Sequence, residues 1–140
     1  MDSGKTVAVC TQTDETVTTV TEIYIMVKAP STSISLADLA GTWQAQAIEY
    51  VGSEWDRGSM TFNSNGNITA QSFASSNGGV DTTPGSSFTI SGPDTITDSN
   101  PANSYDATQQ CSLDSDRTVM VCTSGGPNDS DAKMGILLKQ

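Results

Sequence analysis

One stretch of this chain occurs twice, and that repetition limits what the chain can fold into. Asp2-Ser3-Gly4-Lys5-Thr6-Val7-Ala8-Val9-Cys10-Thr11 matches Asp114-Ser115-Asp116-Arg117-Thr118-Val119-Met120-Val121-Cys122-Thr123. Further along, Ile25-Met26-Val27-Lys28 matches Ile136-Leu137-Leu138-Lys139. The offset is 112 residues in the first pair and 111 in the second, so one loop residue is lost between the strands. A turn, a strand, a loop and a second strand therefore recur together, which is the mark of tandem units, here about 110 residues long. The expected organisation is a closing β-hairpin of a preceding unit over residues 1–29, a linker over 30–35, and a complete unit over 36–140. On that logic Met1 is expected to be an added start codon on an excised fragment; were it native, the duplicated hairpin would belong to a small stand-alone protein.

The composition suits short strands joined by tight polar turns. Nineteen Ser and nineteen Thr stand beside twelve Asp and four Glu, with only four Lys and two Arg. Thr favours strands, Ser, Asp, Asn and Gly favour turns, and good helix formers are scarce. A net charge of −10 opposes binding to nucleic acid, which needs a basic stripe, and to an anionic membrane surface. No apolar run approaches membrane-spanning length, and residues 1–6 do not read as a signal peptide. The expected location is secreted or cell-surface, and a secreted parent protein would carry its export signal outside this segment.

After the breaker-rich segment Ala29-Pro30-Ser31-Thr32-Ser33, residues 35–41 read as a single helical turn with Ser35 as N-cap and Gly41 as stop. Eight strands with a period of two follow: 42–50, 59–63, 68–73, 87–90, 95–97, 105–113, 118–123 and 133–139. Ser64-Asn65-Gly66 is predicted to be a three-residue hairpin loop with Gly66 left-handed, setting Phe62 opposite Ile68 and Met60 opposite Ala70. Residues 75–86, with Gly78-Gly79 and Pro84-Gly85, read as a loop. The expected fold is all-β: an eight-stranded antiparallel up-and-down barrel plus an extra N-terminal hairpin, with a β-sandwich as the alternative.

Strand alternation predicts the barrel lining as Trp43, Ala45, Ala47, Met60, Phe62, Ile68, Ala70, Phe88, Ile90, Val119, Val121, Ile136 and Leu138. These residues either fill the barrel or surround a small apolar ligand. The spare hairpin is apolar on both faces, with Val7 and Val9 on one side and Ala8 and Cys10 on the other. Exposed, it would be adhesive. It is expected to pack on the barrel or to take the place of the closing hairpin in a neighbouring copy, giving a homodimer or a contact with neighbouring repeats.

Leu39-Ala40-Gly41-Thr42-Trp43, placed after a helical turn at the start of the first strand, resembles the Gly-x-Trp opening of the calycin barrels: lipocalins, fatty-acid-binding proteins and avidins. The resemblance implies that Trp43 plugs one end of the barrel and that a ligand would enter at the other. Lipocalins also pack an arginine on that tryptophan; here Arg57 and Arg117 fall in or beside turns. Over residues 36–139 the chain is similar to lipocalin-like tandem repeats of uncharacterised secreted bacterial proteins. Those share the Leu-x-Gly-Thr-Trp opening, a hairpin like residues 58–67 and a Lys/Arg-Thr-Val-x-Val ending like residues 117–121.

Signs of catalysis are lacking. The absence of histidine removes Ser-His-Asp and Cys-His nucleophiles and most zinc sites. Glu49 and Glu54 beside Asp56 read as solvated charge rather than a glycosidase pair. The Asp and Asn clusters at 94–98, 114–116 and 128–131 read as turn residues, without a calcium-loop spacing. No metal, cofactor or enzymatic activity is expected, and the chain reads as a structural or interaction module. Cys111 and Cys122 flank the Asp114–Arg117 turn. An even-length loop sets them on one face, where a disulfide can form, whereas a three-residue loop sets them on opposite faces. Cys10 is the copy of Cys122, which explains the odd count.

Overall fold

The computed structural model describes residues 7–13, 21–49, 54–82, 87–93, 95–99, 109–124 and 133–140. Strands β1 (Val7–Thr13) and β2 (Thr21–Val27) form a two-stranded sheet of their own. A 3-10 helix, Leu36–Leu39, precedes β3 (Gly41–Glu49), β4 (Trp55–Phe62), β5 (Ile68–Ser75), β6 (Val80–Asp81), β7 (Ser87–Ile90), β8 (Thr95–Ser99), β9 (Gln110–Leu113), β10 (Val119–Ser124) and β11 (Lys133–Lys139). These nine strands make one antiparallel sheet in the order β6-β5-β4-β3-β11-β10-β9-β8-β7. The first strand of the unit pairs with the last, Trp43 opposite Lys139 and Ala47 opposite Gly135. That pairing makes a single sheet curled into an up-and-down barrel, and no second layer is needed to bury its inner face.

Among the described residues, β6 and β7 are the two edges of this sheet. At one end it is drawn together, because Asn67 bridges Ser87 and the Phe88 N–H donates to the Gly66 carbonyl at 2.9 Å. Gly66 is needed there twice over. Its φ of +79° is in the left-handed region, and a Cβ would lie 2.7 Å from the Phe88 carbonyl oxygen. The predicted Ser64-Asn65-Gly66 loop is present, with the Asn63 side-chain oxygen accepting from the Asn65 and Asn67 backbone N–H groups. A second close approach lies at Gly58, where a Cβ would overlap the Ser72 carbonyl and sit 2.8 Å from the Phe73 Cα. Only glycine lets β4 and β5 meet so tightly while the sheet bends.

Three expectations need correction. Phe62 does face Ile68, but a bulge between Thr61 and Phe62 shifts the register, so Met60 faces Gln71 and Ala70 faces Thr61. One extra residue on one strand swaps which neighbours share a face. Val80–Asp81, inside the segment read as a loop, adds a short strand to β5 and makes the sheet nine-stranded. Finally, β4 begins at Trp55, four residues before its predicted start. The expected strand over residues 105–113 is seen at 110–113, and its first part lies outside the described residues.

The repeated hairpin is repeated in register as well. Val7, Val9 and Cys10 pair with Val27, Ile25 and Tyr24. Their sequence counterparts Val119, Val121 and Cys122 pair with Leu138, Ile136 and Gly135. The two segments therefore make the same hairpin, one inside the barrel sheet and one outside it.

Candidate functional site: the closed end and the outer cleft

At the drawn-together end the barrel is filled by its own side chains. Trp43, Leu39 and Met120 have no exposed surface, and Phe62, Phe88, Ile96, Leu113 and Leu137 are buried around them. The Phe62 and Phe88 rings meet edge to face at 5.1 Å, a favourable aromatic geometry. The 3-10 helix closes the base of the barrel. Its Leu39 carbonyl accepts the Trp43 indole N–H at 2.7 Å, which satisfies the one polar atom of a fully buried ring. Lys139 crosses the other side, its Nζ 5.5 Å from the Trp43 ring and donating to the Asp38 carbonyl at 2.9 Å. A cation does pack on the tryptophan, but it is supplied by Lys139 rather than by either arginine. Sequence alternation missed this: with Leu138 read as inward, Lys139 falls on the outer face, whereas its pairing with Trp43 turns it inward at the end of β11.

Arg117 ties the base together from the opposite hairpin. It donates to the Thr32 hydroxyl at 2.7 Å, and its Nε stands 3.0 Å from Asp38 Oδ1 as an ion pair without hydrogen-bond alignment. Asp38 also accepts from the Ser35 backbone N–H at 2.8 Å and from the Ser35 hydroxyl at 3.0 Å. Burial alone would raise the Asp38 pKa. The Ser35 backbone N–H, the Ser35 hydroxyl and the Arg117 guanidinium outweigh it and hold the carboxyl below its ordinary 3.8. A carboxyl depressed on folding stabilises the fold above its unfolded pKa and loses that contribution as pH falls through the folded value. Asp38→Asn is therefore expected to lower the urea midpoint at about pH 7. The gap from wild type should narrow as pH drops below 3.8, and a gap independent of pH would contradict this.

The loop between β9 and β10 decides the cysteines. Four residues, 115–118, lie between Asp114 and Val119, whose backbones bond through Asp114 N–H to the Val119 carbonyl at 2.9 Å. Arg117 takes the left-handed conformation, φ 59°. The fully buried Asp114 carboxylate accepts from the Thr118 and Val119 N–H groups at 2.7 and 2.8 Å. The loop is thus even, which excludes the three-residue alternative. Cys111 faces Cys122 directly and the two form a disulfide with Cα atoms 4.0 Å apart. Cys10 is a free, exposed thiol.

The same even loop reverses part of the predicted lining. With Cys122 inward, Met120 is inward too, and β11 follows with Gly135 and Leu137. Val119, Val121, Ile136 and Leu138 therefore belong to the outer face, not the lining; Leu138 is 49% exposed. Ile90 lies near the open edge at 37% exposure, and Ala70 is exposed beyond the bulge. Trp43, Ala45, Met60, Phe62, Ile68 and Phe88 do point into or pack against the core, and Ala47 is half-buried. Phe73, Ile96, Leu113, Met120 and Leu137 join them, none of which alternation had assigned.

Outside the barrel the outward residues of β3, β4, β5 and β11 face the β1–β2 hairpin across a cleft of about 1070 Å³. Ile23 and Ile25 form the hairpin side, and Ile48, Trp55, Met134 and Ile136 are among the sheet side. Arg57 lies over the Trp55 ring at 5.2 Å. Asp56, on the same strand, is 3.9 Å from Lys133.

No protein-family model and no curated protein sequence matches this chain. Among solved structures it is similar to a de novo designed fluorescence-activating β-barrel, at a TM-score of 0.56 and 14% identity. The match covers 76% of this chain and 99% of that one. At that identity the likeness is one of fold. The chain is a β-barrel.

Elsewhere the chemistry is sparse. Among the described residues no group of three or more Cys, Asp or Glu converges as a metal site. Asp94 and residues 128–131, read from sequence as turn residues, lie outside the described residues, as does the side chain of Glu49.

Proposed function

We propose that this chain is a non-enzymatic interaction module of a secreted or cell-surface tandem-repeat protein, working through the outside of its barrel. One observation carries this reading. The interior at the closed end is filled by Trp43, Phe62, Phe88 and their neighbours, whereas accessible apolar side chains gather on the outer face. The disulfide supports an oxidising compartment, where such bonds persist. The shared register of β1–β2 and β10–β11 supports a tandem parent. Trp43 as the plug, with Lys139 across it, supports the lipocalin-like resemblance.

A second reading, an apolar ligand held inside the barrel, has one observation in its favour. Away from Trp43 the inward positions are small: Ala45, Ala47, Gly58 and Gly135. The similar designed barrel is a fluorescence-activating one, which also fits this reading.

Native mass spectrometry of the purified chain separates the two. The module reading expects the bare protein mass, with the denatured, unreduced chain two hydrogens lighter than the all-thiol form. A small-molecule adduct that vanishes on denaturation would overturn it in favour of the binding barrel.

A further inference from the structure

We infer that the outer face of this barrel is covered by a second copy of the chain, the β1–β2 hairpin of each lying on the outer face of the other in a two-fold pair. The inference rests on the interaction-module reading and names its partner.

The cleft brings a surface up against its own repeat. Ile23 and Ile25 on the hairpin side are the sequence counterparts of Met134 and Ile136 on the sheet side, at the offset of 111 residues. Because both hairpins share one register, the stripes they present are copies of each other. A surface that meets its own copy is what a two-fold contact requires, since the same patch serves both partners.

Within one chain the match is left unfinished. Val9, Ile23, Ile48, Trp55 and Leu138 remain 61, 49, 59, 43 and 49% exposed although the hairpin stands over the sheet. Packed sheet faces would close that gap to about 10 Å and bury these side chains. The outer edges of both β1 and β2 are also free of strand partners among the described residues.

Charge leaves this face open to a second copy. The chain carries −10, so two copies repel over most of their surface. The cleft lining holds one Asp and one Arg, and so no net charge. This neutral face is where two such acidic molecules can approach. The reach is sufficient as well, because residues 28–34 span roughly 23 Å when extended, enough to carry the hairpin to a neighbour.

The area is of the right size. A two-stranded hairpin, its strands about 4.8 Å apart and seven residues long, covers roughly 220 Å² in projection. Reciprocal exchange doubles this on each partner, to roughly 440 Å² of projected and more of accessible surface, toward the 800 Å² per partner of a standard interface.

Multi-angle light scattering behind gel filtration, run on the full chain from low to high micromolar concentration, tests this. Wild type should move from monomer to dimer. Ile23→Lys and Leu138→Lys, both at exposed positions, should each raise the dissociation constant at least tenfold while keeping the wild-type circular dichroism. A chain that stays monomeric throughout, or a dimer unchanged in both variants, would overturn the inference. A monomer of bare mass would sink the dimer and leave the module reading standing; a monomer carrying a small apolar molecule would sink both.

Discussion

Trp43→Ala is expected to leave the barrel largely unfolded at room temperature. Deleting a fully buried indole costs about 3–5 kcal/mol through lost burial and the cavity left behind. It also strands the Leu39 carbonyl, which accepts the indole N–H at 2.7 Å, at a further cost of about 1–3 kcal/mol. The Lys139 ammonium loses the ring it lies over. Together these come to about 4–8 kcal/mol, as large as the whole stability of a domain in the lower half of the usual 5–15 kcal/mol range. Trp43→Phe keeps most of the apolar surface and gives up the hydrogen bond, so its urea midpoint should fall between those of Ala and wild type. An alanine variant with a wild-type midpoint would show that Trp43 is not the plug that closes the barrel.

The second large effect is expected from the disulfide. Cys111 and Cys122 are separated by 11 residues, and closing a loop of that size removes about 3 kcal/mol worth of freedom from the unfolded chain. The bond also pins β9 to β10 where the sheet turns toward the short strands β8 and β7. The Cys111→Ala/Cys122→Ala double variant should melt roughly 10 °C below wild type. Reductant should lower the wild-type midpoint and leave the variant where it is. Equal midpoints for wild type with and without reductant would contradict a stabilising bond.

Those two sites differ in how far they could be read from sequence. Trp43 stood out because Gly41-Thr42-Trp43 follows a helical turn and opens a strand, and alternation along β3 put Trp43, Ala45 and Ala47 on one face. The Ser64-Asn65-Gly66 loop was equally readable, since only a small set of loops brings Phe62 back against Ile68 with a left-handed glycine. The disulfide was left open because the geometry turned on a single residue. The sequence allowed an odd loop as readily as an even one, whereas Asp114, by accepting from Thr118 and Val119, holds an even one.

Strand β10 shows why the lining was misread. Val119, Met120, Val121 and Cys122 are apolar at every position, so a period of two carries no information about which face is in. Pairing decides it: Met120 meets both Leu113 and Leu137, and Cys122 meets Cys111. The apolar residues left over, Val119, Val121, Ile136 and Leu138, then form an outer stripe. A strand apolar on both faces is a strand with two neighbours to satisfy, and that pattern was present in the sequence from the start. The bulge at Thr61/Phe62 and the two-residue strand Val80–Asp81 left no comparable trace, because a single inserted residue and a strand of two are too short to set up an alternation.

The two tryptophans offer the most direct test of whether this protein works through its outer face. Trp43 is fully buried with its indole N–H bonded, while Trp55 is 43% exposed on the outer cleft. The ¹H–¹⁵N indole resonances of the full chain should be followed while an apolar probe such as anilinonaphthalene sulfonate is titrated in. The expected result is a shifting Trp55 resonance and a Trp43 resonance that stays in place and exchanges slowly with solvent. Movement of Trp43 with Trp55 unaffected would place the binding surface inside the barrel and contradict the outer-face reading.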